Sequence, residues 1–325
     1  MQILRDQASC PRPQAGTVVT IGAYDGVHRG HAAVIAKVRR LADERGMATA
    51  VVTFDRHPAS VVRPESAPLV LTDLDQKLEL LAATGVDYAL VIHFDEARSK
   101  EPAPDFVRDE LVGCLNAKVV VVGEDFHFGH QRQGNVALLT ELGRDLGFDV
   151  APLELVGVDG EAAADESARV SSTAIRRLLR EGDLARANEL LGRPHEVRGV
   201  VGHGDAQGRE LGFPTANVNV PDDVCLPHDG IYAGWYRRVD PDGVTGDRRP
   251  CAISLGRRPT FYDDQPFSLL EAHLLDFDGD LYDEVARVEF VTHLRDELAF
   301  DSVDDLIVQM GRDCDDARRI LADLT

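Results

Sequence analysis

The first half of the chain alternates short apolar runs with segments in which apolar residues recur every three or four positions. Such runs are typical of buried strands, and such recurrence is typical of amphipathic helices. The predicted strands are Thr17–Gly22, Ala48–Phe54, Asp87–Phe94, Lys118–Val122 and Phe148–Leu155. The predicted helices are His31–Arg45, Asp73–Thr84, Asp105–Asn116 and Val136–Leu146. This order predicts an α/β domain whose mostly parallel sheet is covered by helices on both faces.

The pattern changes near Ser171. Two helices are predicted in succession, Ser171–Arg180 and Asp183–Leu191, and a last helix is predicted over Ser302–Leu324. Between them lie six strand-like runs: Glu196–Val201, Thr215–Val220, Ile231–Arg237, Cys251–Leu255, Leu269–Phe277 and Ala286–Thr292. These runs predict a small antiparallel sheet or barrel. We therefore predict one domain over residues 1–186 and a second over residues 187–325.

The composition limits the classes of protein. The 325 residues carry 56 acidic and 35 basic side chains, and the net charge of −21 disfavours a nucleic-acid-binding protein. The sequence has no apolar run of about 18 residues and no signal-peptide core, so we expect a cytoplasmic protein without a membrane partner. The five cysteines form no C-x-x-C pair. We expect neither a disulfide framework nor a zinc site, but small buried side chains in a reducing compartment.

Glycines and histidines mark the end of the first predicted strand, in the segment Gly22-Ala-Tyr-Asp-Gly-Val-His-Arg-Gly-His31. In a doubly wound sheet, ligands bind where a strand passes into a helix, and the N–H groups of the helix N-terminus suit phosphate. His28 and His31 are three residues apart, so both imidazoles can face one ligand and donate to its phosphate oxygens. The alternative is a glycine turn with two exposed histidines.

A second informative segment is Gly208-Arg-Glu-Leu-Gly-Phe-Pro-Thr-Ala-Asn217. In an extended chain, Thr215 and Asn217 point to the same side, and their oxygens are hard ligands that suit Mg²⁺. Glycines such as Gly202 and Gly208 allow the backbone to approach a nucleotide closely. The alternative, a glycine-rich hairpin, accounts for the glycines but not for the Pro-Thr-Ala-Asn ending.

These segments resemble the motifs of known families. Gly22–His31 resembles the G-x-F-D-G-x-H-x-G-H signature of the nucleotidyltransferase superfamily. Within it, the chain is similar to the bacterial bifunctional riboflavin kinase/FAD synthetase family in the segments Val52–Pro58, Val122–Gly129, Arg169–Arg176 and Gly208–Asn217. The resemblance implies an N-terminal Rossmann-like nucleotidyltransferase domain with a parallel sheet. It also implies a C-terminal small antiparallel β-barrel of the riboflavin kinase type, followed by a helix.

For the first domain, the resemblance implies transfer of AMP from ATP to FMN, which yields FAD and pyrophosphate. His28, His31 and Arg176 are implied as catalytic contacts to the ATP phosphates. The other implied phosphate-binding residues are Gly22, Asp25, Gly30, Arg169, Ser171, Ser172 and Thr173. A flavin pocket is implied for His57, Asp125, Phe126 and Phe128. Without the resemblance, Ser171–Thr173 reads as a helix N-cap, Arg176 as a solvated helix residue and His57 as a turn residue.

For the second domain, the resemblance implies phosphorylation of riboflavin to FMN by ATP. Glu271 is implied as the base that accepts the proton of the ribityl 5′-hydroxyl while that oxygen attacks the γ-phosphorus. Alternation along Leu269–Phe277 places Glu271 and His273 on one face of a strand, and the alternative is an ordinary exposed carboxylate. The other implied site residues are Thr215 and Asn217 for Mg²⁺, Gly202 and Gly208 for ATP, and Arg295 for the flavin.

Three alternatives remain open from the sequence. Ala23 and His127 depart from the family pattern, which would suit a riboflavin kinase with a degraded adenylyltransferase half. A non-catalytic flavin-binding sensor would retain the pockets without turnover. The nucleotidyltransferase signature alone also permits a different phosphate ester as substrate. In the main interpretation the partners are riboflavin, FMN and ATP with Mg²⁺, and a homo-oligomer is compatible with the sequence.

Overall fold

The computed structural model describes residues 1–153, 170–203, 208, 211–239, 246–256 and 269–324. These residues form two compact units, Met1–Ser172 and Thr173–Thr325. The units divide earlier in the chain than the domain boundary at 186/187, which stays a prediction. None of the described helices combines the length and the apolarity that a bilayer-spanning segment needs.

A six-stranded parallel sheet forms the centre of the first unit. Its first strands are β1 (Gln2–Leu4), β2 (Thr17–Ile21), β3 (Ala48–Phe54), β4 (Tyr88–Ile92) and β5 (Ala117–Gly123). A short antiparallel hairpin, β6 (His127–Phe128) and β7 (Gly134–Asn135), and then β8 (Asp149–Leu153) follow. The strand order is β1-β4-β3-β2-β5-β8, and all neighbours are parallel, which confirms the predicted fold class.

Helices cover both faces of this sheet. They are α1 (Arg29–Arg45), α2 (Pro58–Val62), α3 (Leu74–Ala83), α4 (Glu96–Ser99), α5 (Ala103–Phe106), which continues as π-helical turns over Val107–Cys114, and α6 (Val136–Leu146). Successive strand residues point to opposite faces. Val18 and Val121 therefore pack with Val38 of α1 on one face, whereas Val120 packs with Leu139 of α6 on the other. Because both faces are buried, the strands consist of continuous β-branched runs.

The expectation about the cysteines is wrong for two of the five. The Sγ atoms of Cys10 and Cys114 lie 2.02 Å apart and form a disulfide, although the residues are 104 positions apart in the sequence. The segment after β1 runs back to the end of the π-helical turns, where the Arg12 N–H donates to the Cys114 carbonyl oxygen (3.2 Å). An odd number of cysteines and unfavourable spacing do not exclude such a pairing, because it depends on tertiary contact. The buried free cysteines, as expected, are Cys225, Cys251 and Cys314.

A closed antiparallel barrel forms the centre of the second unit, which confirms the barrel alternative for this half. The helices α7 (Ser172–Glu181) and α8 (Leu184–Leu191) precede it. Its strands are β9 (His195–Gly202), β10 (Ala216–Asn219), β11 (Gly230–Val239), β12 (Arg249–Gly256), β13 (Leu269–Leu274) and β14 (Val285–Arg295). They close in the order β10-β13-β12-β11-β14-β9. The helix α9 (Val303–Ala322) follows β14.

The barrel has an apolar interior and carries α9 on its outer surface. Leu270 and Ala272 of β13 are buried, as alternation along the strand requires. On the outside, Ala317 and Leu321 of α9 pack in one cluster with Trp235 of β11. This packing leaves a cleft between α9 and neighbouring strands, and several of the predicted kinase residues line it.

Candidate active sites

The sheet of the first unit changes direction at β2. From β2 the chain proceeds to β3 and β4, and it then crosses back to place β5 on the other side of β2. Ligands of open α/β sheets bind at such a switch point, beyond the carboxyl ends of the strands. The loops that follow β2 and β5 therefore flank the expected ligand position, and both contain predicted site residues.

Side chains of the same unit hold the loop between β2 and α1. Tyr24 and Gly26 take positive φ angles of 51° and 81°, and this conformation is uncommon for a residue such as tyrosine. The buried Asp25 carboxylate accepts hydrogen bonds from the N–H groups of Leu71 (2.9 Å) and Thr72 (3.1 Å). Asp25 thus fixes the path of the loop, and its contact with a phosphate stays a prediction.

His28 and His31 lie where this loop enters α1. His28 is the N-cap, since its Nδ1 accepts a hydrogen bond from the His31 N–H (3.3 Å), and the two rings stack with centroids 3.7 Å apart. With Nδ1 as the acceptor, Nε2 is the donor of the neutral His28 ring. Gly22 directly follows β2. Gly30 has little space for a side chain, because a Cβ there would lie 3.1 Å from the Val170 carbonyl oxygen. The structure therefore brings the histidines together at a helix N-terminus, as predicted.

The segment before α7 reaches the same loop. The Ser172 hydroxyl donates to the carbonyl oxygen of Asp25 (2.8 Å), so Ser171 and Ser172 lie beside the β2–α1 loop. Thr173 and Arg176 belong to the second compact unit, where Arg176 is buried and Thr173 is exposed. Arg169 lies outside the described residues. The contacts of these side chains with ATP stay predictions.

The predicted flavin residues of the first unit have different surroundings. Phe128 is buried in the core and stacks on Phe126, with ring centroids 5.4 Å apart, whereas Asp125 is exposed. His57 caps α2, and its Nδ1 accepts a hydrogen bond from the Ala59 N–H (3.1 Å). This bond favours the turn interpretation of His57. Asp125 and Phe126 are more accessible to a ligand than Phe128 is.

The barrel aligns four of the six predicted kinase-site residues in one row around its surface. Residues paired directly on neighbouring strands share a face of the sheet, with Cβ atoms about 4.5–5.5 Å apart. The paired row from β9 round to β14 is Gly202, Asn217, Glu271, Ser254, Ile231 and Arg295. Because the residues that flank Glu271 are buried, the row faces outward. Asn217 and Glu271 are thus direct neighbours, and Arg295 lies on the same surface.

A cleft of about 380 Å³ lies between part of this row and α9. Gly208, Thr215, Glu271 and Arg295 all line it. A Cβ at Gly208 would lie 3.4 Å from the Thr215 hydroxyl oxygen, so these two residues are close neighbours. The apolar lining includes Phe213, Leu298, Phe300, Leu306 and Met310. An apolar wall with a few polar groups is typical of a site for a small organic ligand.

Arg295 is held by a carboxylate that the sequence analysis did not identify. Its Nε and Nη2 lie 3.0 and 2.7 Å from the Oδ1 and Oδ2 atoms of the buried Asp313 on α9. The Gln309 amide also donates to Asp313 (2.9 Å). In the same cleft, burial and the nearby Asp229 raise the pKa of Glu297, while Arg295 opposes that rise. The bidentate pair therefore joins α9 to β14 and fixes Arg295 at the cleft.

Asp313→Asn is expected to destabilise the second unit and to raise the KM for riboflavin, the substrate that the motifs of this half imply. The amide leaves the guanidinium of Arg295 without its counter-charge, and loss of one partner of a buried pair costs about 3–5 kcal/mol. Thermal unfolding and steady-state kinetics of FMN formation measure the two effects. Asp315→Asn is the matched control, because its exposed pair with Arg318 (3.0 Å) is on the same helix and is worth about 0–1 kcal/mol. Equal stability of the two variants would contradict the prediction.

Comparisons with known proteins assign a family to each half of the chain. A sequence profile of FAD synthetase matches residues 10–174, and a profile of riboflavin kinase matches residues 191–321. The chain is 38% identical to the bifunctional riboflavin kinase/FMN adenylyltransferase of Listeria monocytogenes, over 94% of this chain and 93% of that one. The chain belongs to the bifunctional riboflavin kinase/FMN adenylyltransferase family. The resemblance drawn from its motifs is thereby confirmed.

Other members of the bifunctional riboflavin kinase/FMN adenylyltransferase family are similar over comparable lengths. The Haemophilus influenzae protein of that name is 36% identical over 98% of each chain, and the Escherichia coli K12 protein is 38% identical over 93% of this chain and 91% of its own. A crystal structure from Streptococcus pneumoniae, described as a macrolide-efflux protein, shares the fold with a TM-score of 0.81. It is 27% identical and covers 98% of this chain and 99% of that one.

Two buried charged residues near the sites were not identified from the sequence. They are Lys77 of α3 and Asp313 of α9. The sequence pattern places each of them on the apolar face of its helix. Lys77 follows Leu74 by three positions, and Asp313 follows Met310 by three. A charged side chain on the buried face of a helix requires a partner, and such a residue is a candidate for a role in a site.

Proposed function

We propose that the chain catalyses two consecutive reactions. Residues 187–325 phosphorylate riboflavin with ATP, which yields FMN and ADP, and residues 1–186 transfer AMP from a second ATP to FMN, which yields FAD and pyrophosphate. The observation that supports the proposal is that each compact unit brings predicted phosphate-site residues together: the rings of His28 and His31 stack after β2, and Glu271 pairs with Asn217 on the barrel. We propose that both reactions take place in the cytoplasm.

In the kinase reaction, Glu271 is the proposed base. The ribityl 5′-hydroxyl oxygen bonds to the γ-phosphorus, its proton passes to the Glu271 carboxylate, and the bond from the γ-phosphorus to the ADP oxygen breaks. The apolar wall of the cleft, with Phe300 and Leu306, suits the flavin ring. Arg295, held by Asp313, orients the flavin, and Gly202 and Gly208 are proposed as contacts to ATP.

In the adenylyltransferase reaction, a phosphate oxygen of FMN attacks the α-phosphorus of ATP, and the bond to pyrophosphate breaks. The attacking phosphate is already an anion, so the main tasks of the protein are alignment and stabilisation of charge. His28, His31 and the N–H groups at the start of α1 supply donors for that charge. Ser171, Ser172 and Arg176 are proposed as additional phosphate contacts.

Mg²⁺ is proposed as the metal of the kinase site. The Thr215 hydroxyl lies in the cleft and Asn217 is the direct neighbour of Glu271, so both offer hard oxygen ligands next to the proposed base. In the part of the chain that the structure describes, no group of three or more His, Cys, Asp or Glu side chains could hold a metal ion. This arrangement suits an ion held largely by phosphates and water. When bound, Mg²⁺ neutralises charge on the transferred phosphate.

Product analysis tests the proposal directly. Purified protein incubated with riboflavin, ATP and Mg²⁺ is expected to form FMN and then FAD, and incubation with FMN in place of riboflavin, again with ATP and Mg²⁺, is expected to give FAD. Chromatography separates the three flavins. FMN that never becomes FAD would favour the kinase with a degraded adenylyltransferase half. Binding of riboflavin without either product would favour the sensor.

A further inference from the structure

Lys77 of α3 is a buried lysine that the reactions described above do not use. It is only 7% exposed, and lysine is almost never buried without a partner. Its Nζ donates hydrogen bonds to the carbonyl oxygens of Ala23 (3.3 Å) and Phe54 (2.6 Å). Ala23 lies in the loop after β2, and Phe54 is the last residue of β3. One ammonium group therefore joins the carboxyl ends of two neighbouring strands, of which β2 borders the switch point.

Two carboxylates near this ammonium group, those of Asp25 and Asp55, link Lys77 to further parts of the first unit. Burial lowers the pKa of Lys77 to about 8, and the carboxylates of Asp25 and Asp55 oppose that fall. Asp55 in turn accepts a hydrogen bond from the Phe94 N–H (3.0 Å), and its Oδ2 lies 2.7 Å from the His93 Nδ1. The network thus ties the end of β2, which borders the expected ligand position, to the ends of β3 and β4.

The Ala23 carbonyl group lies directly before Tyr24, a residue of the β2–α1 loop with a positive φ angle. The Ala23 carbonyl oxygen also accepts a hydrogen bond from the Thr53 hydroxyl (3.1 Å), and the next residue, Tyr24, has a φ of 51°. A residue in that region costs free energy and persists only where its surroundings determine it. A charged donor binds a carbonyl more strongly than a neutral donor does. Lys77 therefore adds a charged donor to this carbonyl, five residues before His28.

We propose that Lys77 is a positioning residue for adenylyl transfer: its ammonium group fixes the Ala23 carbonyl to the end of β3 and so aligns His28 and His31 with ATP. The inference rests on the proposed function. Lys77 acts through the backbone and not by contact with a substrate. A misplacement of about 1 Å in a catalytic constellation can lower the rate by about 10², so the effect is expected in kcat and not in KM.

Lys77→Met tests the inference because it removes the ammonium group and retains most of the side-chain length. The kcat for FMN adenylylation is expected to fall by about 100-fold. The KM values for FMN and ATP are expected to change by less than about threefold. Formation of FMN from riboflavin by the same protein is expected to stay at the wild-type rate, which provides an internal control for folding and concentration.

Two further variants separate positioning from simple loss of a buried residue. Lys77→Arg retains a charged donor and is expected to recover at least about a tenth of the wild-type kcat. Lys37→Met is the matched control, since Lys37 also donates to a backbone carbonyl oxygen of the first unit, that of Pro152 (2.9 Å) on the edge strand β8, but has no contact with the Ala23 carbonyl among the described hydrogen bonds. Both activities of Lys37→Met are expected to match the wild type.

Several results would overturn the inference. They are wild-type kcat for adenylylation in folded Lys77→Met, no recovery in Lys77→Arg, and an equal loss in Lys37→Met. If Lys77→Met does not fold, Lys77→Gln is judged by the same criterion, because its neutral amide is the weaker donor. A wild-type protein that forms no FAD would overturn the proposed function together with this inference, whereas an active wild type beside an unaffected variant would overturn this inference alone.

Discussion

Glu271→Gln is expected to stop measurable FMN formation and to leave FMN adenylylation intact. Glutamine has the size of glutamate and preserves the paired row of the barrel, but its amide does not accept the proton of the 5′-hydroxyl. Loss of a positioned base typically costs about 10²–10⁴ in rate. Because the substrate contacts of the cleft remain, we expect the fall in kcat and not in riboflavin affinity. Rates of FMN formation from riboflavin and of FAD formation from added FMN, measured on one preparation, check both statements.

Glu196→Gln is the matched control for this prediction. Glu196 is also an outward-facing carboxylate on a barrel strand, and its partner is Arg198 (2.9 Å), but it does not line the cleft. Both activities of this variant are expected to equal those of the wild type. If Glu271→Gln retained more than about a tenth of the wild-type rate, Glu271 would not be the base. A parallel loss of adenylylation would contradict the assignment of two separate sites.

The strands and long helices were predictable because local pattern decides them. Val136–Leu146 has both apolar periodicity and an asparagine immediately before it, and the helix has those bounds. Ala48–Phe54 is a continuous run rich in β-branched residues, which is typical of a strand buried on both faces. β1 and the β6–β7 hairpin were missed because strands of two or three residues contain too little pattern to detect.

The sites were predictable only in part, since they depend on which segments become neighbours. Alternation showed that Glu271 faces away from the apolar side of its strand, but only barrel closure makes it the neighbour of Asn217 and places it in a row with Arg295. The Cys10–Cys114 disulfide joins residues 104 positions apart, which composition does not reveal. Recognition of the family supplied roles from motifs, whereas the partners of those residues required the structure.

His31→Ala and His28→Asn are expected to lower FMN adenylylation without affecting riboflavin phosphorylation. Removing one donor that stabilises developing charge typically costs about 10²–10³ in kcat. Asparagine at position 28 is a good N-cap and preserves the start of α1, while alanine at position 31 is the best helix former. Each variant therefore removes an imidazole with little change in the helix. Kinetics of FAD formation from FMN and ATP, with FMN formation from riboflavin as the internal control, measure the effect.

The stacking of the two rings predicts that the effects of the two substitutions are not additive. With centroids 3.7 Å apart, each imidazole supports the orientation of the other, so either single substitution already disturbs the remaining ring. Residues that act as a unit have non-additive effects. The loss in His28→Asn/His31→Ala is therefore expected to be clearly smaller than the product of the two single losses. A double loss equal to that product would mean that the histidines act independently. Wild-type adenylylation in either single variant would remove that histidine from the phosphate site.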